Sequence, residues 1–363
     1  MTRRAGARHW ANSLKGRSLY NARKLRTLLF ACIAALATPA IAERAARDEI
    51  VLTDGSRLFG KVTAVREGAV TVETDFAGAL SIPVDKVESL RSDDPAVLLL
   101  QDDNVVNVQP LVIDGGQVAA GPDGAGQGYP LAQLKIVNPE DWETGRGYHW
   151  TGLVNFALEL ERGNSEKDQL DYKLASEWLS TRDRYSFEWR GEQDETEGEK
   201  TADNWLANLG YDYFLADPWY VGARGRVEED EFADIDLRYL VGPHIGRQFF
   251  DTPRLTLSGE LGLAYADDDY IVAEDEQYAA ATWALDIASN YLGGESRLYL
   301  DQDGVWNLDE TSNVIVDTAI GLAFPLMWNL EAAAEVLLEY DGNADGDVDD
   351  LDETYRLRLG YTW

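Results

Sequence analysis

Cysteine is almost missing from this 363-residue chain: the single one is Cys32. An internal disulfide and a thiolate metal cluster are both excluded. Histidine is nearly as scarce, with three, so the commonest general base and metal ligand has few places to act. Positive charge is short as well. Lys and Arg number 32 against 65 Asp and Glu, a formal net charge of −33. Such a chain repels nucleic acid and anionic lipid heads and attracts cations. The last shortage is of long apolar runs. Nothing beyond residue 42 approaches the roughly 18 apolar residues of a membrane-spanning helix. That leaves open a β-barrel, whose strands are shorter and alternate.

What is present begins with an export pattern. Eight bases (Arg3, Arg4, Arg8, Lys15, Arg17, Arg23, Lys24 and Arg26) and no acid occupy the first 26 residues. The apolar run Thr27–Ile41 follows, and the segment closes on Ala40-Ile41-Ala42. This order reads as a signal peptide over residues 1–42, cleaved after Ala42. An acylated Cys32 is the alternative, but too little apolar sequence precedes it. Cleavage leaves 24 bases, the 32 less the leading eight, against all 65 acids.

Residues 43–137 read as a periplasmic module built from two copies of a small SH3-like or Sm-like β-unit. The first copy opens at Ile50–Gly55 and closes with Ile82-Pro83-Val84-Asp85-Lys86-Val87. The second opens at Val97–Asn104 and closes, 47 residues after the first, with Tyr129-Pro130-Leu131-Ala132-Gln133-Leu134. Asp-Gly, Glu-Gly and Gly-Gly pairs between short apolar runs are hairpin signals. Residues 138–147 (NPEDWETGRG) read as a linker.

From residue 148 the texture changes to long alternating segments. Trp150, Gly152, Val154, Phe156, Leu158 and Leu160 share one face, and Thr151, Asn155, Glu159 and Glu161 the other. The pattern recurs to the end of the chain. In each segment the apolar parity is free of charge while the other parity carries acids and bases. Soluble sandwich strands also alternate, but they are typically about 5–6 residues long. The reading is an all-β, antiparallel, up-and-down transmembrane barrel of about 12 strands over residues 148–363. It belongs in the outer membrane, with the N-terminal module in the periplasm. Tight turns near 181–184, 216–218, 250–254 and 325–329 alternate with acidic stretches, read as external loops, near 192–203, 228–236, 266–277, 301–313 and 341–353. Pro243 inside a strand predicts a bulge or a strand end. The alanine-rich Gln277–Tyr291 also fits a helical period and is read as a strand.

The chain stops on Tyr355, Leu357, Leu359, Tyr361 and Trp363 in one parity. This resembles the C-terminal signal read by the outer-membrane barrel assembly machinery, with Trp363 where Phe is usual. Together with Trp150-Thr151-Gly152-Leu153 and the tip Arg162-Gly163-Asn164-Ser165, the barrel resembles a family of unknown function described as salt-induced outer-membrane proteins. The resemblance implies an envelope role under salt or osmotic stress, and no catalytic residues.

Chemistry is thinly signalled. After residue 42 only His149 and His244 remain. Ser258, on the strand next to that of His244, is the one candidate nucleophile, and no hydrolase motif surrounds it. The charged parity carries Glu159, Asp171, Glu177, Glu188, Asp212, Glu260, Asp286, Asp317, Glu331 and Glu335 against Lys173, Arg190, Arg224, Arg226, Arg238, Arg297, Arg356 and Arg358. These predict a salt-bridged interior, or alternatively a narrow cation-attracting channel. Porin-scale conduction is not expected, since it needs about 16 strands. One metal site is suggested. In residues 341–353, Asp341, Asn343, Asp345 and Asp347, with Asp352 at the twelfth position, follow the oxygen spacing of an EF-hand-type loop and could hold Ca²⁺.

Overall fold

The computed structural model describes residues 48–66, 68–119, 128–161, 167–252, 254–293, 296–342 and 350–363. The expected signal peptide, the Arg162–Ser165 tip, and Asn343, Asp345 and Asp347 lie outside the described residues.

Eleven strands form an N-terminal sheet. They are β1 (Asp48–Leu52), β2 (Arg57–Arg66), β3 (Ala69–Thr74), β4 (Gly78–Pro83), β5 (Val87–Ser92), β6 (Ala96–Leu100), β7 (Val105–Val108), β8 (Leu111–Asp114), β9 (Gln117–Ala119), β10 (Gly128–Pro130) and β11 (Leu134–Val137). The duplication is visible in their order. Single 3₁₀ turns at Val84–Lys86 and Leu131–Gln133 each follow a proline and lead into the last strand of a copy. The pairing joins the two copies in one sheet. β5 pairs with β1 of its own copy and with β8 of the other. β11 pairs with β2, Val137 standing opposite Val65. Each final strand thus closes on the other copy, and Ile50, Val72, Leu90, Leu111, Val118 and Val137 are buried together in the sheet's core. A single copy, at about 45 residues, has too little apolar surface to sustain its own core.

Twelve further strands form a closed barrel in chain order. They are β12 (His149–Glu161), β13 (Lys167–Leu179), β14 (Asp183–Thr196), β15 (Glu199–Ala216), β16 (Trp219–Asp230), β17 (Ile235–Thr252), β18 (Leu255–Tyr270), β19 (Glu276–Ser289), β20 (Arg297–Asn307), β21 (Val314–Pro325), β22 (Leu330–Asp341) and β23 (Leu351–Thr362). Every neighbouring pair is antiparallel, and β12 meets β23 from Leu153↔Thr362 to Phe156↔Leu359. Side chains are distributed inside out. Phe156 and Leu263 on the outer face are 53% and 59% exposed, whereas Asp212 and Asp268 in the lumen are 3% and 0% exposed. Exposed aromatics gather at the end of the tight turns, among them Trp150, Tyr185, Tyr213, Trp219, Phe324 and Tyr361. Among the described residues no helix is long and apolar enough to cross a membrane.

Two expectations about the barrel need correction. In four of the acidic stretches read as long loops, 192–203, 228–236, 266–277 and 301–313, more than half of the residues are strand. β14 and β15 continue to a two-residue turn at Glu197-Gly198, both at positive φ (56° and 80°), as a tight hairpin requires. β18 and β19 reach Asp268↔Glu276 before their ladder ends. The acids look like loop residues in sequence because their partners are remote: the Asp268 carboxylate lies 2.9 Å from Arg238. Pro243 produces neither a bulge nor an end. It stands opposite Ala223 on β16, while on the β18 side the ladder skips Gly242 and Pro243 and resumes in the same register at His244↔Gly262. A proline costs only its own N–H bond, and the long strand tolerates the gap. The alanine-rich segment is a strand, paired with β18 along its whole length.

Candidate functional site in the barrel lumen

The inward parity of each strand carries the charges, and the closed ring brings them within reach of one another. Glycine makes room for the tightest cluster. Asp212 on β15, Gly222 on β16 and His244 on β17 stand in line across three strands. A Cβ at Gly222 would come within 2.6 Å of both Asp212 Oδ1 and His244 Cε1. Without it the two flanking side chains meet, His244 Nε2 lying 2.7 Å from Asp212 Oδ1. Gly246 plays the same part for Tyr220, whose ring lies across it and would sit 2.2 Å from a Cβ there. Tyr220 Oη then donates to Glu260 Oε1 at 3.0 Å.

Two guanidinium groups complete this cluster. Arg184 places Nη2 2.7 Å from Asp212 Oδ2, and its guanidinium lies 5.2 Å from the centre of the Tyr220 ring. Arg224 Nη2 lies 2.7 Å from Glu260 Oε2. Asp212, His244 and Glu260 are close enough together to be weighed as metal ligands. The charges argue against it: two carboxylates are already matched by two arginines, and a divalent cation would have to displace them. Ser258 Oγ donates to Asp286 at 3.1 Å, while the Nε2 of His244 is engaged by Asp212. The two candidate catalytic residues therefore have separate carboxylate partners. His149 opens β12, stacked on Trp142 at 5.3 Å, with Nδ1 3.6 Å from Glu140.

Further along, ion pairs cross the lumen. Arg190 on β14 reaches Asp317 on β21 at 2.8 Å, between strands on opposite sides of a ring of twelve. Arg226 on β16 approaches the same carboxylate at 3.4 Å. Arg224 reaches Asp303 on β20 at 3.5 Å, while Arg356 on β23 stays along the near wall, 2.8 Å from Asp171 on β13 and 2.6 Å from Glu192 on β14. Around the wall, Lys173 pairs with Glu188 at 2.8 Å, Arg358 with Glu335 at 2.8 Å and Arg297 with Glu331 at 3.2 Å. Beside the crossing pairs is a cavity of about 60 Å³. Arg224, Arg226 and Asp303 line it in part, against the small residues Gly242, Gly262 and Ala284.

A family model described as "Protein of unknown function, DUF481" matches residues 154–363. The chain belongs to the DUF481 family. No curated protein matches it. Among solved structures this DUF481 barrel is similar to the NanC porin, with 10% identity, 58% of this chain and 98% of that one covered, and a TM-score of 0.37. It is also similar to the translocator domain of the autotransporter NalP from Neisseria meningitidis, at 10% identity, 60% and 88% coverage, and a TM-score of 0.35. A third is the CymD monoaromatic hydrocarbon channel, at 12% identity, 60% and 87% coverage, and a TM-score of 0.29.

Within the DUF481 barrel, inward-facing positions were the legible part of the site. Asp212, Glu260, Asp317, Arg190, Arg224 and Arg226 all turn inward as their parity requires. Arg184, Glu192, Glu228, Asp268, Asp301, Asp303 and Glu339 were missed, though carrying each strand's alternation a few residues further would have found them. Of the suggested calcium ligands, Asp341 ends β22 and Asp352 lies in β23 opposite Glu339. The Asp341 N–H donates to the Asp350 carbonyl at 3.0 Å.

Proposed function

We propose that this DUF481 protein is an outer-membrane barrel with a periplasmic N-terminal module, serving the envelope without catalysis, and that its lumen is closed by ion pairs at rest. The observation that carries the reading is the Arg190–Asp317 pair at 2.8 Å. A contact that short between strands five places apart in the ring narrows the passage at that level. The exposed apolar outer face supports the membrane setting, since a surface of that kind needs lipid. The separate partners of Ser258 and His244 support the non-catalytic reading. The envelope role under salt or osmotic stress rests on the family resemblance alone.

A second reading, a narrow cation-attracting channel, is favoured by one feature. The wall from β19 to β22 carries Asp286, Asp301, Asp303, Asp317, Glu335 and Glu339 against the inward base Arg297. Single-channel recording of the refolded full chain in planar bilayers separates the two. The closed reading expects a silent bilayer at moderate salt, and steady cation-selective steps would replace it with the channel.

A further inference from the structure

Arg224 and Asp303 stand apart from the other pairs that cross the lumen. Their Nη1–Oδ1 separation of 3.5 Å is long, and their side chains are 36% and 48% exposed. Asp317, by contrast, is 12% exposed in its pair with Arg190. Arg224 keeps its short bond to Glu260 on another nitrogen, so Nη1 is held only by the long contact to Asp303, and Arg224 lines the cavity. Asp303 is likewise only loosely held. Arg226 lines the same cavity, and the wall formed by Gly242, Gly262 and Ala284 leaves the space open. The result is an exposed dipole, guanidinium at one end and carboxylate at the other, beside a cavity of about 60 Å³, room for a molecule of a few heavy atoms.

The complement to a fixed dipole is a second dipole laid antiparallel to it. An ammonium and a carboxylate joined through one carbon hold their charges roughly 3 Å apart by standard bond lengths, close to the 3.5 Å between Nη1 of Arg224 and Oδ1 of Asp303. Laid alongside, such a molecule gives its carboxylate to Arg224 and its ammonium to Asp303. One long contact becomes part of a ring of four alternating charges, with short charge-assisted hydrogen bonds. A lone cation would meet the nearby arginines, and a lone anion would meet Asp303 and Glu260.

We propose that the lumen cavity beside Arg224 and Asp303 is a binding site for small α-zwitterions, molecules carrying an ammonium and a carboxylate on one carbon. The site does not depend on whether the barrel conducts, and its test is independent of the conductance measurement. The probe is glycine, titrated by calorimetry into the full-length protein refolded in detergent. Acetate and methylammonium serve as its separate halves, and 4-aminobutyrate as a zwitterion with its charges further apart. The expected result is saturable glycine binding, at least about tenfold tighter than for any of the other three. Arg224→Gln and Asp303→Asn should each weaken glycine at least about tenfold, while retaining the heat-dependent gel shift of a folded barrel. If either variant fails to fold, the ligand comparison on the unaltered protein still decides. No glycine binding overturns the proposal, as does methylammonium binding as tightly as glycine, which would mark a simple cation site. Glycine binding that both folded variants leave unchanged would place it elsewhere and overturn this site.

Discussion

Arg190 and Asp317 each give up water to meet across the barrel, and losing either leaves the other only a longer contact, Arg226 at 3.4 Å for Asp317 and Glu188 at 3.9 Å for Arg190. Removing one member of such a pair leaves a charge poorly compensated, at a cost between those of exposed and fully buried pairs, on the order of 2 kcal/mol. Arg190→Gln is therefore expected to lower resistance to urea, followed by tryptophan fluorescence, and to raise conductance in planar bilayers. An unchanged, silent bilayer with Arg190→Gln would show that other pairs close the lumen by themselves. Gly246 offers a test of packing rather than charge. Gly246→Ala must push the Tyr220 ring away, since the new Cβ would lie 2.2 Å from it, and overpacking of this kind costs about 1–3 kcal/mol. Tyr220→Phe keeps the ring and loses only the bond to Glu260, about 1 kcal/mol. The expected order of urea midpoints is unaltered protein, then Tyr220→Phe, then Gly246→Ala, and the reverse order of the two variants would contradict the geometry.

At the scale of elements, alternation made each strand legible, because a strand in a closed barrel must segregate its inner and outer faces. It also made the inward residues of the site legible, though not their partners. Nothing local in Arg190 names Asp317, 127 positions away, and nothing around Asp212 announces that Gly222 will let His244 reach it. The strand ends were misjudged for the same reason: an acid such as Asp268, paired with Arg238 thirty positions earlier on the neighbouring strand, is indistinguishable in sequence from one dissolved in a loop. The closing seam shows what the last strand must do. Trp363 both donates to and accepts from the backbone of Gly152, at 3.1 and 3.0 Å, and its ring meets Trp150 edge-on at 5.6 Å. Trp363→Asp is expected to reduce the amount of folded protein in outer-membrane fractions without reducing export, and equal amounts would remove the targeting role. The hairpin between β22 and β23 carries the calcium expectation. Calorimetry with calcium should give a saturable heat that Asp341→Ala together with Asp345→Ala abolishes, whereas equal weak heats in both proteins would leave an acidic tip without a site.

The molecule as a whole joins a barrel with an exposed apolar outer face to a sheet that buries its own core. Residues 148–363 alone are expected to refold in detergent and to run at a different gel mobility before and after boiling. A fragment that stays folded and soluble without detergent would refute the membrane setting. The exchanged strands of the N-terminal sheet carry a consequence for timing. Because β11 pairs with β2 and β5 with β8, the first copy to emerge during synthesis precedes its closing partners. Local hairpins can form at once, but contacts between positions as distant as Val65 and Val137 must wait, and such long-range closure is what slows folding. The first half of the module therefore passes through an interval with an open edge, a window in which a chaperone, or a neighbouring chain, competes for the same ladder.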